Sequence, residues 1–220
     1  MARLILASAL GGPLAHAQLR LSGNVSGMFT DSSGGHTTVS NASDGSYDYF
    51  QSGVPQHSGD SPTMIEFWKQ SFTDIGPGLV ADNLFKITNG RNLLGTTADS
   101  AHFNLNLELT SPEASTHVLA IPFTINNTPN EPNDQNVNDN FSISAGAIAP
   151  FVIDNTRVQF SFSAPSDISI AEKSSMYVGS LWVRFTPVPE ASTFAWGGAA
   201  LLLGFIGFRM LSRRQREAAV

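Results

Sequence analysis

Apolar and polar residues alternate with a period of two along much of this chain. The clearest case is Phe103-Asn104-Leu105-Asn106-Leu107-Glu108-Leu109, where every second residue is apolar. That period sends one face of an extended strand into a core and the other into water. Val158-Gln159-Phe160-Ser161-Phe162 and Leu181-Trp182-Val183-Arg184-Phe185 repeat it. Weaker versions predict strands at Leu19–Phe29, Tyr47–Phe50, Met64–Trp68, Leu84–Thr88, Val118–Asn126 and Phe141–Ser144. Turn-rich stretches separate them: Asp31-Ser32-Ser33-Gly34-Gly35, Gly76-Pro77-Gly78 and Thr128–Asn140. About nine short strands at this spacing predict an all-β ectodomain over residues 18–186, an antiparallel β-sandwich of jelly-roll-like type.

The two ends break the alternation. Met1-Ala2-Arg3, the mostly apolar Leu4–Leu14 and the small-x-small triplet Ala15-His16-Ala17 follow the order of a signal peptide over residues 1–17, cut before Gln18. At the other end Phe194 to Phe208 is an unbroken uncharged run. Carried on to Leu211 it predicts a single transmembrane helix, about 27 Å long against a hydrocarbon thickness of about 30 Å. Arg209 is close enough to its end to snorkel to the headgroups. Arg213, Arg214 and Arg216 follow within residues 212–220, and the positive-inside rule makes that segment a cytoplasmic tail with the body outside. Both ends predict the same topology.

Charge and composition narrow the picture. Charged residues are 14% of the chain and the formal net charge is −6. From Gln18 to Thr186 there are 16 acidic and 7 basic residues, a net of −9, while the last twelve residues are basic. An acidic body argues against nucleic-acid binding, which needs Lys and Arg for phosphate. No cysteine occurs, so the body depends on its own core.

Between the body and the apolar run stands Pro187-Val188-Pro189-Glu190-Ala191-Ser192-Thr193. With the apolar run and the arginine cluster it resembles the PEP-CTERM sorting signal, which joins a Val-Pro-Glu-Pro motif, a Gly-rich apolar helix and a terminal Arg cluster. Val188, Pro189 and Glu190 match, and Ala191 replaces the second proline. The resemblance implies an exosortase as partner, export across the inner membrane of a Gram-negative bacterium, transient anchoring, and processing near residues 187–193. The prolines flanking Val188 hold the backbone extended and withhold N–H donors, the shape a processing enzyme needs. Glu190 is the expected recognition handle.

The body carries a second resemblance. Ser22-Gly23-Asn24-Val25-Ser26-Gly27-Met28-Phe29 opens it, Phe85-Lys86-Ile87-Thr88-Asn89-Gly90 leads to Gly95-Thr96-Thr97, and Phe123-Thr124-Ile125-Asn126-Asn127-Thr128-Pro129-Asn130 runs towards Asn138-Asp139-Asn140-Phe141. In this order the segments are similar to the choice-of-anchor K domain, a β-rich extracellular domain found with several surface-anchoring tags. That implies fold and location, and no chemistry.

Candidate chemistry is sparse. Asp134, Asn136 and Asn138 stand at alternate positions with Asp139 beside them, as calcium loops arrange oxygen ligands. The EF-hand template fails, because Asp139 stands where Gly is needed and Ala145 where a bidentate Glu is needed. A calcium site there competes with a solvated turn whose side chains bond their own backbone. His36, His57, His102 and His117 lack zinc spacing. Gly59-Asp60-Ser61 resembles the start of a GDS-type esterase block, but Pro62 follows and no base is marked, so it predicts a turn. Glu66, between aromatics, is the best candidate for one of a glycosidase's two carboxylates. Trp68, Trp182 and the tyrosines would stack on sugars if exposed, or fill a core if buried. Three functions follow: a structural or adhesive matrix protein without enzymatic activity, an exopolysaccharide-binding module, or a glycoside hydrolase. The first is the primary expectation.

Overall fold

The computed structural model describes residues 18–41, 45–126, 128 and 138–188. The predicted signal peptide, transmembrane segment and basic tail lie outside the described residues. Among the described residues all regular structure is strand. In chain order these are β1 (Leu21–Ser33), β2 (Thr37–Asn41), β3 (Tyr47–Ser52), β4 (Thr63–Trp68) and β5 (Gln70–Ile75). Then come β6 (Gly78–Ala81), β7 (Phe85–Thr88), β8 (Ser100–Ser111), β9 (Ser115–Asn126), β10 (Asn138–Ile143) and β11 (Gly146–Ala147). The last are β12 (Phe151–Ile153), β13 (Thr156–Ser163), β14 (Ile168–Ala171), β15 (Ser175–Val178) and β16 (Ser180–Pro187).

Each of the nine alternating segments lies mostly within a strand. The additional strands, such as β6, β11 and β12, are too short for a period of two to show above chance. All three expected turns are also partly strand, Gly78 opening β6. Asp31–Ser33 prolong β1 beyond an irregularity after Phe29, paired with Ser100–His102, and Asn138–Asn140 begin β10.

All pairings are antiparallel and form three sheets. A six-stranded sheet runs β14-β10-β9-β8-β1-β5, a second runs β15-β7-β4-β3-β2, and a third runs β11-β13-β16-β6 with β12 paired to β13. The arrangement is sandwich-like, with the six-stranded sheet facing the other two. Phe67 of the second sheet lies 4.5 Å from Phe103 of the first, and Phe29 of the first lies 5.7 Å from Phe50 of the second. His117 of β9 stacks at 4.0 Å on Phe151 of the third sheet.

Phe85 sits where the three sheets meet. Its ring is 5.0 Å from both Phe103 and Phe123, 5.3 Å from Phe67 and 5.8 Å from Phe162. The edge-to-face angles suit the aromatic quadrupole. Gly179 makes the junction possible, because at φ 88° a Cβ there would stand 2.9 Å from the Phe162 ring and 3.1 Å from Phe85. On the inner face of β1, Gly27 leaves room for the Phe103 ring, which a Cβ would meet at 2.3 Å. The core aromatics are all phenylalanine, while the described tyrosines and tryptophans lie nearer the surface. A phenol or indole in the core would need a buried hydrogen-bond partner, whereas Phe needs none.

Phe85→Ala is expected to cost about 3–5 kcal/mol, because it opens a cavity against all three sheets. Urea unfolding compared with Tyr177→Ala checks this, since the exposed Tyr177 should cost far less. Equal losses would show that the junction is not central to stability.

Candidate functional site

The outer face of the second sheet collects the polar aromatics. Alternation in β3 turns Asp48, Phe50 and Ser52 inward and Tyr47, Tyr49 and Gln51 outward. In β4 the outward residues are Met64, Glu66 and Trp68, and in β7 they are Lys86 and Thr88. Register does the rest. Tyr49 faces Glu66, Glu66 faces Lys86, and Lys86 faces Tyr177. One row therefore crosses four strands, about 14 Å at ordinary strand spacing. Tyr47 and Trp68 form the adjacent row with ring centroids 5.3 Å apart, and Tyr47 is 6.2 Å from Tyr49.

At the centre of this face Lys86 Nζ lies 2.8 Å from Glu66 Oε2. The hydrogen bond to Glu66 is the main reason the Lys86 ammonium is held above the usual lysine range; burial opposes it, and the Glu66 charge, Tyr177 and Tyr47 reinforce it. Lys86 therefore keeps its charge at neutral pH, directly against the Glu66 carboxyl group. Rings around a neutral polar centre suit a ligand with apolar faces and hydroxyl edges: the rings take the faces, and phenol and amide groups take the hydroxyls. The acids in this sheet's strands are Asp48 and Glu66. Asp48 points inward, 3.4 Å from Lys69 Nζ, so those two carboxylates do not face each other across a cleft.

The other sequence candidates are dispersed. Val188 follows β16, and its N–H donates to the Asn155 carbonyl at 2.7 Å. Pro189, Glu190, Arg209, Arg213, Arg214 and Arg216 lie outside the described residues, as do Asp134 and Asn136. Asn138 and Asp139 are successive residues of β10 and point to opposite faces. Asn138 is exposed and its amide donates to Ser169 Oγ at 3.1 Å. Asp139 is buried, and its Oδ1 accepts the Thr128 N–H at 2.7 Å. Among the described residues no group of three or more His, Asp or Glu is placed to hold a metal ion. Asp60 of the Gly59-Asp60-Ser61 turn lies 2.7 Å from Lys173 Nζ and 3.2 Å from His57 Nδ1, tying that loop to the β14–β15 turn.

Glu66, Trp68 and the tyrosines were legible as candidates one at a time; Lys86 as their centre was not. Its partners lie 20 residues before it and 91 after it (86 − 66 and 177 − 86), so only strand pairing assembles the row. The usable signal was an aromatic or charged residue at the outward position of each strand.

No protein-family model matches the chain, and no curated protein matches it significantly.

Asp139 generates a pH prediction. Burial, the dominant cause, raises its carboxyl from 3.8 to about 6; the Thr128 N–H opposes this and nearby Glu172 adds to it. The folded chain thus holds the proton more tightly than the unfolded one. The stabilisation is fully present below pH 3.8 and is lost as pH rises to about 6. Asp139→Asn should gain on wild type in melting temperature across that window. A difference unchanged between the two limits would rule out the shift.

Proposed function

We propose that the chain is an exported surface or extracellular-matrix protein, sorted by an exosortase, whose β domain adheres to exopolysaccharide through the outer face of the second sheet. The observation that carries the binding reading is the row Tyr49–Glu66–Lys86–Tyr177, flanked by Tyr47 and Trp68. Polar aromatics grouped on an open sheet favour a glycan ligand over a purely structural role, in which they would be buried. A binding role suits Glu66 better than hydrolysis, because its carboxylate is already held by Lys86. The domain is on this reading a jelly-roll-like member of the choice-of-anchor K group, followed by a single membrane helix.

The sorting part rests on Val188-Pro189-Glu190, the apolar run from Phe194 and the arginine cluster, in that order. The exosortase cuts near the motif after export, and the body passes to the cell surface or matrix.

Each part has its own test. Tyr49→Ala and Tyr177→Ala should each weaken binding to the host's purified exopolysaccharide roughly 5- to 10-fold by calorimetry, the worth of one aromatic contact. Val118→Ala, exposed on β9 of the six-stranded sheet, should leave it unchanged. Uniform affinity across all four proteins would return the domain to a structural role. For sorting, the mature protein from an exosortase-bearing cell should lack its C-terminal segment by mass, and Glu190→Ala should retain it. Full-length, membrane-embedded wild type and variant alike would replace sorting with a simple tail anchor.

A further inference from the structure

The third sheet presents an outer face unlike the rest of the body. Register pairs Leu79 of β6 with Trp182 of β16, and Val152 of β12 with Arg157 of β13. Leu79 is 47% exposed, Trp182 44% and Val152 55%. Arg157 and Arg184 are exposed on the same face, beside these apolar groups. The five strands of this sheet hold these two arginines and not one carboxylate, although acids outnumber bases 16 to 7 between Gln18 and Thr186. Chance sorting of that composition would favour acids on any face.

We infer that this face docks on the surface of an anionic lipid bilayer. Three observations select that occupant. The two guanidiniums, with no acid in the sheet's five strands and Asp154 confined to the β12–β13 turn, match lipid phosphate. A tryptophan with two aliphatic neighbours matches the boundary between headgroup and acyl chain, where amphipathic rings settle. The third is position: β16 ends at Pro187, Val188 is tied to Asn155, and five residues (189–193) precede the apolar run at Phe194. Five residues reach about 17 Å at full extension, so an anchored chain keeps the end of this sheet near the bilayer. The positional argument rests on the apolar run being an anchor, as proposed above; the charge and aromatic arguments do not.

The test uses the full chain with Trp68→Phe and Trp196→Phe, which leaves Trp182 as the reporter. It is mixed with vesicles of equal parts phosphatidylcholine and phosphatidylglycerol that contain headgroup nitroxide lipid. Trp182 fluorescence should be quenched in these vesicles and much less in phosphatidylcholine alone. Adding Arg157→Gln and Arg184→Gln should weaken the docking equilibrium roughly 30-fold, at about one kcal/mol per surface arginine. Melting curves confirm that the variants are folded. Flotation after a high-salt wash reports the apolar anchor separately. Chains that float with Trp182 unquenched overturn the docking and leave the anchor standing. Chains that do not float after the wash, yet are quenched at low salt, uphold the docking and remove the anchor. Equal quenching in both vesicle types overturns the arginine recognition. A Trp182 spectral shift with exopolysaccharide but not with vesicles overturns the proposal in favour of a second glycan face.

Discussion

The contact on which this architecture depends is the aromatic junction around Phe85. Two small sheets cannot each bury enough surface to persist alone, and a single six-stranded sheet leaves one face wet. Phe85 reaches Phe67 in its own sheet, Phe103 and Phe123 in the facing sheet and Phe162 in the third. The turn through Gly179 then carries the chain from β15 to β16, from one small sheet directly into the next. Without a side chain at that turn, the Phe85 and Phe162 rings close the seam between them.

Keeping the core to phenylalanine has a functional side. Every tyrosine and both described tryptophans stand at outward or partly covered positions, although the Trp68 indole nitrogen itself is covered. The second sheet gathers four of them around the Glu66–Lys86 pair, and the third carries Trp182 beside two arginines. The interior thus supplies rigidity, and the outer faces carry the groups on which the proposed recognition rests. Glu66 apart, the buried polar groups lie away from both outer faces. Asp139 sits at the start of β10 near Asn89 and Glu172, and Glu172 lies 3.5 Å from Arg91.

The sequence disclosed what depends on local period and hid what depends on pairing. Phe103–Leu109 announced a strand with its buried face, and the structure buries Phe103, Leu105, Leu107 and Leu109. Strands such as Gly146–Ala147 and Phe151–Ile153 were invisible, because two or three residues show no period; they exist because Phe162 and Val158 of β13 pair with them. Glu66 and Trp68 stood out by residue type, whereas Lys86 gained meaning only through the register of β7 with β4 and β15. Asn138 and Asp139 looked like neighbours in one loop, but a strand sends adjacent side chains apart. Pro189, Glu190 and the arginines from Arg209 onward remain a matter of sequence alone.

The Glu66–Lys86 pair has a consequence for how the two recognition faces are addressed. A charge pair 2.8 Å apart presents no net monopole, so stacking over it is almost indifferent to ionic strength. Arg157 and Arg184 lack a counter-charge in the strands of their own sheet, and their attraction to phosphate is screened within about a nanometre at moderate salt. Ionic strength would therefore act as a selector between the two proposed attachments. Dilute surroundings would keep the domain flat against lipid, and saltier ones would free it to hold polysaccharide alone.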